Sequence, residues 1–246
     1  MPRFDTNMQT INLPGGGNFQ FSAVRPEKLG ATEYTLVTIV VDISASVNFY
    51  RKGLLNCVKS IVAACQKSSR VDNLMIRLLS FSEKREEIHG FVPLNQLDPE
   101  QYKDFICQGA TALYDATYDA IAATNVYATT LFEQDFDVNA AIYIITDGED
   151  NRSTVVPSEI ADQIEKAMRE EHLNSLITIL VGMNLQSPSS SSYLQLFKEQ
   201  ARLTQFIDVA EATPDNLAKL SAFVSKSINV QSQALSSGLT PEELIF

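Results

Sequence analysis

The sequence has no tryptophan, only two histidines and only three cysteines. His89 and His172 are far apart, and so are Cys57, Cys65 and Cys107. Zinc fingers, zinc proteases and disulfide frameworks need clustered sulfur or imidazole, so those classes are disfavoured. Cys57 and Cys65 would sit about 12 Å apart along one helix, too far to bridge. An odd cysteine count is the pattern of a reducing compartment, and a cytoplasmic location is expected. Positive charge is also short: 19 Lys and Arg stand against 30 Asp and Glu, a net charge of -11. A general binder of nucleic acid or anionic membrane needs the opposite balance. No apolar run approaches the roughly 18 residues of a membrane span. The opening Met1-Pro2-Arg3-Phe4-Asp5-Thr6-Asn7 has no apolar core and is not expected to act as a signal peptide. There is no Gly-x-Ser-x-Gly elbow and no Walker A loop. The run Gly15-Gly16-Gly17 lacks the third glycine position of a dinucleotide fingerprint.

What is present is a globular composition, 45% hydrophobic over 246 residues. That is too apolar for a disordered chain, and its length allows one or two domains. Residues 1–31 read as a flexible lead, with Phe19-Gln20-Phe21-Ser22-Ala23-Val24 as one edge strand. Leu36-Val37-Thr38-Ile39-Val40-Val41 is a β-branched run suited to a strand buried on both faces. Leu54, Leu55, Val58, Ile61, Val62 and Cys65 then fall on one helical face. Strands are expected at 74–81, 88–92 (near an edge), 140–145, 176–181 and 206–209. Helices are expected at 99–106, 111–124, 157–172, 193–203 and 214–230, with a polar loop at 187–192. Pro157 stands in a first helical turn, where its missing N–H costs little. Residues 233–246 form a tail that mixes acids with apolar residues, open to docking on another copy or to disorder. Strands alternating with helices predict a doubly wound α/β fold over residues 32–232, with a mostly parallel sheet and helices on both faces.

In such sheets the functional crevice lies at the carboxyl ends of the strands. Asp42-Ile43-Ser44-Ala45-Ser46 follows the first buried strand. Thr146-Asp147-Gly148 follows the strand at 140–145. Between them, Gly109-Ala110-Thr111 leads into a helix. Two carboxylates and several hydroxyls thus meet at one edge, a set of hard oxygen ligands without sulfur or imidazole. It suits Mg²⁺, with Mn²⁺ or Ca²⁺ as alternatives.

This pattern resembles the von Willebrand factor A domain with its metal-ion-dependent adhesion site. The family motif is Asp-x-Ser-x-Ser, a separate Thr and a later Asp-Gly. Asp42, Ser44, Ser46, Thr111 and Asp147-Gly148 match it in order and spacing, and the resemblance covers about residues 34–230. It implies a six-stranded sheet with one antiparallel edge strand. It implies that Ser44, Ser46 and Thr111 offer hydroxyl oxygens to the metal, and that Asp42 and Asp147 contact it, often through water. The last coordination position would take a Glu or Asp from a partner protein. Intracellular relatives often serve as adaptors, some of them beside AAA+ ATPases. Ala110 departs from the Gly-Gly-Thr version of the motif.

Each residue also has a plainer role open to it. Asp42, Ser44, Ser46 and Thr111 are all helix-capping types, and Asp115 is a first-turn acid. Glu149, Asp150 and Asn151 read as a solvated rim; Tyr50, Arg51 and Lys52 read as surface or partner contacts. The expected function is a metal-dependent protein-binding module. The alternatives are a metal-dependent phosphoryl or hydrolytic enzyme, for which no base or phosphate clamp is evident, and a scaffold whose metal site only holds loops together.

Overall fold

The β-branched run at 36–41 lies inside a strand that is buried from Tyr34 to Asp42, and the rest of the molecule is arranged around it. The computed structural model describes residues 6–12, 14, 18–185, 187–238 and 244–246. Among them the strands are β1 (Thr6–Asn12), β2 (Asn18–Val24), β3 (Glu33–Asp42), β4 (Leu74–Phe81), β5 (Arg85–Pro93), β6 (Asp137–Thr146), β7 (Leu176–Met183) and β8 (Gln205–Val209). The helices are α1 (Arg51–Cys65), α2 (Leu113–Phe132), α3 (Pro157–Arg169), α4 (Pro188–Gln200) and α5 (Pro214–Ser237).

The strands form one sheet in the order β1-β2-β5-β4-β3-β6-β7-β8. Only β1 with β2 and β4 with β5 run antiparallel. Helices α1 and α5 pack together over β3 and β6, while α2 and α3 pack against each other. The fold is therefore mixed α/β and compatible with a Rossmann-like arrangement. Chain order reverses between β3 and β6: β3 is followed outward by β4, and β6 by β7 and β8. That seam is a topological switch point, where the loops leaving adjacent parallel strands diverge and open a crevice.

The sheet has eight strands among the described residues, not the six expected. The lead contributes a hairpin, β1 against β2, in register from Thr6↔Val24 to Asn12↔Asn18. β1 was missed because only Ile11 on it is buried, so it carries no alternating apolar signal. β5, expected near an edge, is interior, because β2 lies on its outer side. The connection is a single parallel pair, Ala23↔Phe91. It is reinforced by side chains. Phe21 meets Phe91 edge-on at 6.3 Å, and Tyr127 of α2 stacks on Phe91 at 5.1 Å. The Tyr127 hydroxyl donates to the Val24 carbonyl at 2.8 Å. Arg77, fully buried, lies 5.5–6.0 Å from the rings of Phe19, Phe21 and Phe91 and pairs with Glu87 at 2.9 Å. A buried guanidinium is tolerated only with such a counter-charge.

Other boundaries move for local reasons. The helix expected at 99–106 is a single 3-10 turn, Pro99–Gln101, followed by irregular chain. Helix α2 runs to Phe132, beyond the expected end, because its second half is also buried. Helix α4 starts at Pro188, inside the expected polar loop, where the Ser187 side chain accepts the Ser190 N–H. Gly15–Gly17 and residues 239–243 of the tail lie outside the described residues.

Candidate metal centre

Asp42 ends β3 and is 1% exposed. One carboxylate oxygen accepts the Ser44 N–H at 2.8 Å. This turn closes the loop on itself and aims the next residues back over the strand end. The other oxygen accepts the hydroxyl of Thr146, the last residue of β6, at 2.6 Å. The Thr146 oxygen in turn accepts the Gly148 N–H at 3.3 Å. Ser46 donates to the Asp147 carboxylate at 2.8 Å, and its oxygen lies 3.0 Å from that of Ser44. A hydroxyl has one proton, so Ser44 donates to Ser46 and Ser46 donates to Asp147. The chain Gly148–Thr146–Asp42–Ser44–Ser46–Asp147 is thus continuous and spans the switch point.

Thr111 is buried and sits in the adjoining loop. Its backbone makes the links. The N–H donates to the Asn151 side-chain oxygen at 2.9 Å, and its carbonyl accepts the Asn151 N–H at 3.0 Å. Two further backbone bonds tie this loop to the first one, Ala45 N–H to the Gly109 carbonyl and Gln108 N–H to the Ile43 carbonyl. Gly109 has φ of 80°, which favours glycine, and Thr111 follows it in the same loop, its hydroxyl making no hydrogen bond to Asp42, Ser44, Ser46 or Asp147 among the described residues. Ala110, the departure from the Gly-Gly-Thr version, donates its N–H to the Glu83 carboxylate at 3.3 Å.

Sequence reasoning missed three supporting roles. Thr146 carries no motif signal beyond preceding Asp-Gly, yet it holds Asp42. Tyr50 is half-buried with its phenol close to Asp147 and Asp42, where surface contact was expected. Asp150 and Asn151 are more than a solvated rim. Asp150 accepts the Tyr114 N–H at 3.1 Å and, like Asn151, staples the loop after β6 to the start of α2. Asp115 completes the brace, accepting N–H groups of Thr154 and Val155 at 2.9 Å each and an Arg85 N–H at 2.7 Å. A carboxylate that accepts N–H groups of the next loop can be recognised only once the two loops are neighbours.

Electrostatics follow from burial. Loss of water pushes the Asp42 carboxyl up to about 6; hydrogen bonds from Thr146 and Ser44 oppose this, and the nearby Asp147 adds to it. Asp147 is also raised by burial, against the bond from Ser46 and the nearby Tyr50 phenol. Burial and both carboxylates keep the Tyr50 phenol protonated. Among the described residues neither carboxylate has a Lys, Arg or His ion pair. The described residues also hold no cluster of three or more His, Cys, Asp or Glu; this site has two carboxylates, and its remaining oxygens are hydroxyls. Both histidines are engaged elsewhere, His89 with Gly90 and Tyr102, His172 with Thr129.

No protein-family model matches the sequence. No curated protein matches it either. Solved structures do match in shape. The pilus adhesin SpaC from Lactobacillus rhamnosus GG aligns over 92% of this chain with a TM-score of 0.57 and 11% identity; the chain spans only 34% of that adhesin. The PilB minor pilin from Streptococcus sanguinis aligns over 93% of this chain and 68% of its own, with a TM-score of 0.57 and 13% identity. Proximal thread matrix protein 1 from the mussel byssus aligns over 82% of this chain and 47% of its own, at 0.53 and 14%. At such identities the likeness is one of fold. Among the described residues no helix is long and apolar enough to cross a membrane.

Proposed function

We propose that the chain is a metal-dependent protein-binding module of the von Willebrand A type. Asp42, Ser44, Ser46, Thr111 and Asp147 would hold Mg²⁺, or Mn²⁺ or Ca²⁺, at the carboxyl edge of the sheet. The observation that carries the reading is the hydrogen-bonded chain of Asp42, Ser44, Ser46 and Asp147 across the switch point. Its donors are all hard oxygens, and among the described residues its two buried carboxylates have no basic ion-pair partner. A dication supplies that balance and, with few protein ligands, keeps a position for an outside carboxylate. The resemblance to the family, read from the motif, assigns that position to a Glu or Asp of a partner protein. The protein's own residues have distinct tasks. Thr146 and the Ser44 N–H orient the Asp42 carboxylate, Ser46 orients that of Asp147, and Asn151 sets the Thr111 loop. The three free thiols support a reducing compartment such as the cytoplasm.

Calorimetric titration with Mn²⁺ and Mg²⁺ tests the reading. The wild-type chain should bind one ion, and Asp42→Ala and Thr111→Ala should each weaken binding. Unchanged affinity in both variants would sink the metal assignment.

A further inference from the structure

A groove of about 1120 Å³ lies beside the candidate centre. Its walls are β5 between Glu86 and Gly90 and the irregular strap that returns over residues 97–109. The hairpin contributes Thr6 and Ser22, and the metal-site loops contribute Ile43 and Gly109. Ile43 directly follows Asp42, and the Gly109 carbonyl accepts the N–H of Ala45, between the two serines. The groove is therefore continuous with the centre.

Its origin is a strand pairing that stops short. β2 meets β5 only at Ala23↔Phe91. One residue earlier, the Ser22 N–H donates to the Glu87 carboxylate at 2.9 Å instead of to the β5 backbone. Residues 85–89 thus have a paired strand on the β4 side alone among the described residues, while Gly90 is covered by the Ser22 backbone. An edge left open in this way is a template for strand addition by an extended peptide. The strap keeps the groove open and shaped. The His89 imidazole and the Tyr102 hydroxyl are 2.9 Å apart, and Gln66 donates to the carbonyls of Leu94 and Leu97.

Size and charge select the occupant. The volume exceeds the roughly 300–1,000 Å³ of ordinary small-molecule pockets. The four strand residues 86–89 offer about 14 Å of backbone, room for a short extended segment. The lining holds Glu83, Glu86, Glu87, Asp98 and Asp104 against Lys84 and Lys103. Glu87 is held by Arg77 and Ser22, which leaves four acids facing two lysines. The surface complements a cationic segment. Ile106, 76% exposed on the strap, offers an apolar contact beside it.

We propose that this groove receives an extended, basic segment of the same partner whose Glu or Asp ligates the metal, an inference that rests on the metal-dependent reading above. The partner's recognition element is then bipolar: one carboxylate at the centre and lysines or arginines along β5.

Selection of a displayed library of random short peptides on the full chain, in millimolar Mg²⁺, tests this. Enriched peptides are synthesised and titrated by fluorescence anisotropy. They should combine an Asp or Glu with two or more Lys or Arg, and lose binding in EDTA. Their affinity should fall by about tenfold or more on the Glu86→Lys/Asp104→Lys double variant. Ile106→Ser, a change at an exposed side chain, should weaken them less. Mn²⁺ affinity, measured by calorimetry, should be the same in all three proteins. Enriched peptides without basic residues, or basic ones that bind the double variant as tightly as wild type, overturn the groove assignment. A wild type that binds no Mn²⁺ overturns the metal reading itself; one that binds Mn²⁺ but selects no such peptides overturns only the groove.

Discussion

Thr146 donates its hydroxyl to Asp42 at 2.6 Å, joining the last residues of two adjacent parallel strands, β6 and β3. The bond lies on the line where the chain reverses its winding, and it orients the most deeply buried carboxylate of the candidate centre. Thr146→Val should leave that carboxylate short of a donor and cost about 1–3 kcal/mol, because an unsatisfied buried acceptor loses its full desolvation compensation. Urea unfolding measures the cost. Thr146→Ser should restore most of it, and Mn²⁺ affinity should follow the same order.

Metal should stabilise the fold by mass action. At an Mg²⁺ concentration a hundredfold above the dissociation constant, the gain is about 2.7 kcal/mol. Thermal unfolding with and without Mg²⁺ should show a rise in Tm for wild type and none for Asp42→Asn. Without metal, Asp42→Asn should be no less stable than wild type, because it removes a buried charge that has no basic ion-pair partner among the described residues. A Tm rise of equal size in both proteins would place the ion elsewhere.

Gly90 marks the closest approach of the hairpin to the sheet. A Cβ there would stand 1.7 Å from the Ser22 carbonyl oxygen, which no rotamer relieves. Gly90→Ala should therefore push β2 off β5, at about 1–3 kcal/mol or more. Hydrogen exchange should report faster exchange in Asn18–Val24 with the strands from β3 onward still protected. Unaltered protection of the hairpin would contradict the packing described.

Asp119 of α2 supplies a pH dependence. It is buried with Arg85 at 2.6 Å, yet desolvation outweighs Arg85 and Arg77 and, with Asp115 adding to it, lifts the carboxyl to about 7. The folded protein thus holds this proton more tightly than the unfolded chain, whose Asp titrates near its ordinary value of 3.8. Its contribution to stability is complete below about pH 4, declines as pH rises towards 7 and is level above that. Asp119→Asn should flatten the slope in this window. The difference between variant and wild type in urea midpoints from pH 4 to 8 isolates it from Asp42, which titrates in both.

Much of the frame was legible in the residues. The runs at 36–41 and 140–145 are apolar on both faces, and only a central strand covered by helices satisfies them. The α1 stripe from Leu54 to Cys65 is buried as its spacing predicts. The placing of Asp42 and Asp147 at the ends of β3 and β6 follows from where those apolar runs stop. The hairpin strand β1 was not legible, because it lies at the sheet's margin and buries little. Nor was the interior position of β5, because nothing in its sequence announces that a strand from the N-terminal segment will cover it.

By itself, the sequence determined the elements that bury their own apolar pattern, and the spacing that puts polar residues at strand ends. These are local properties, set by periodicity of 2 or 3.6 residues and by where a hydrophobic run breaks. The tertiary structure alone decided which strand ends are neighbours. Asp42 and Thr146 stand 104 positions apart and meet only because β3 pairs with β6. The same holds for the Tyr50 contact with Asp147, the Asp115 brace and the groove beside β5. Each depends on pairing between distant segments, whose free energy is shared by the whole core and written in no one stretch of chain.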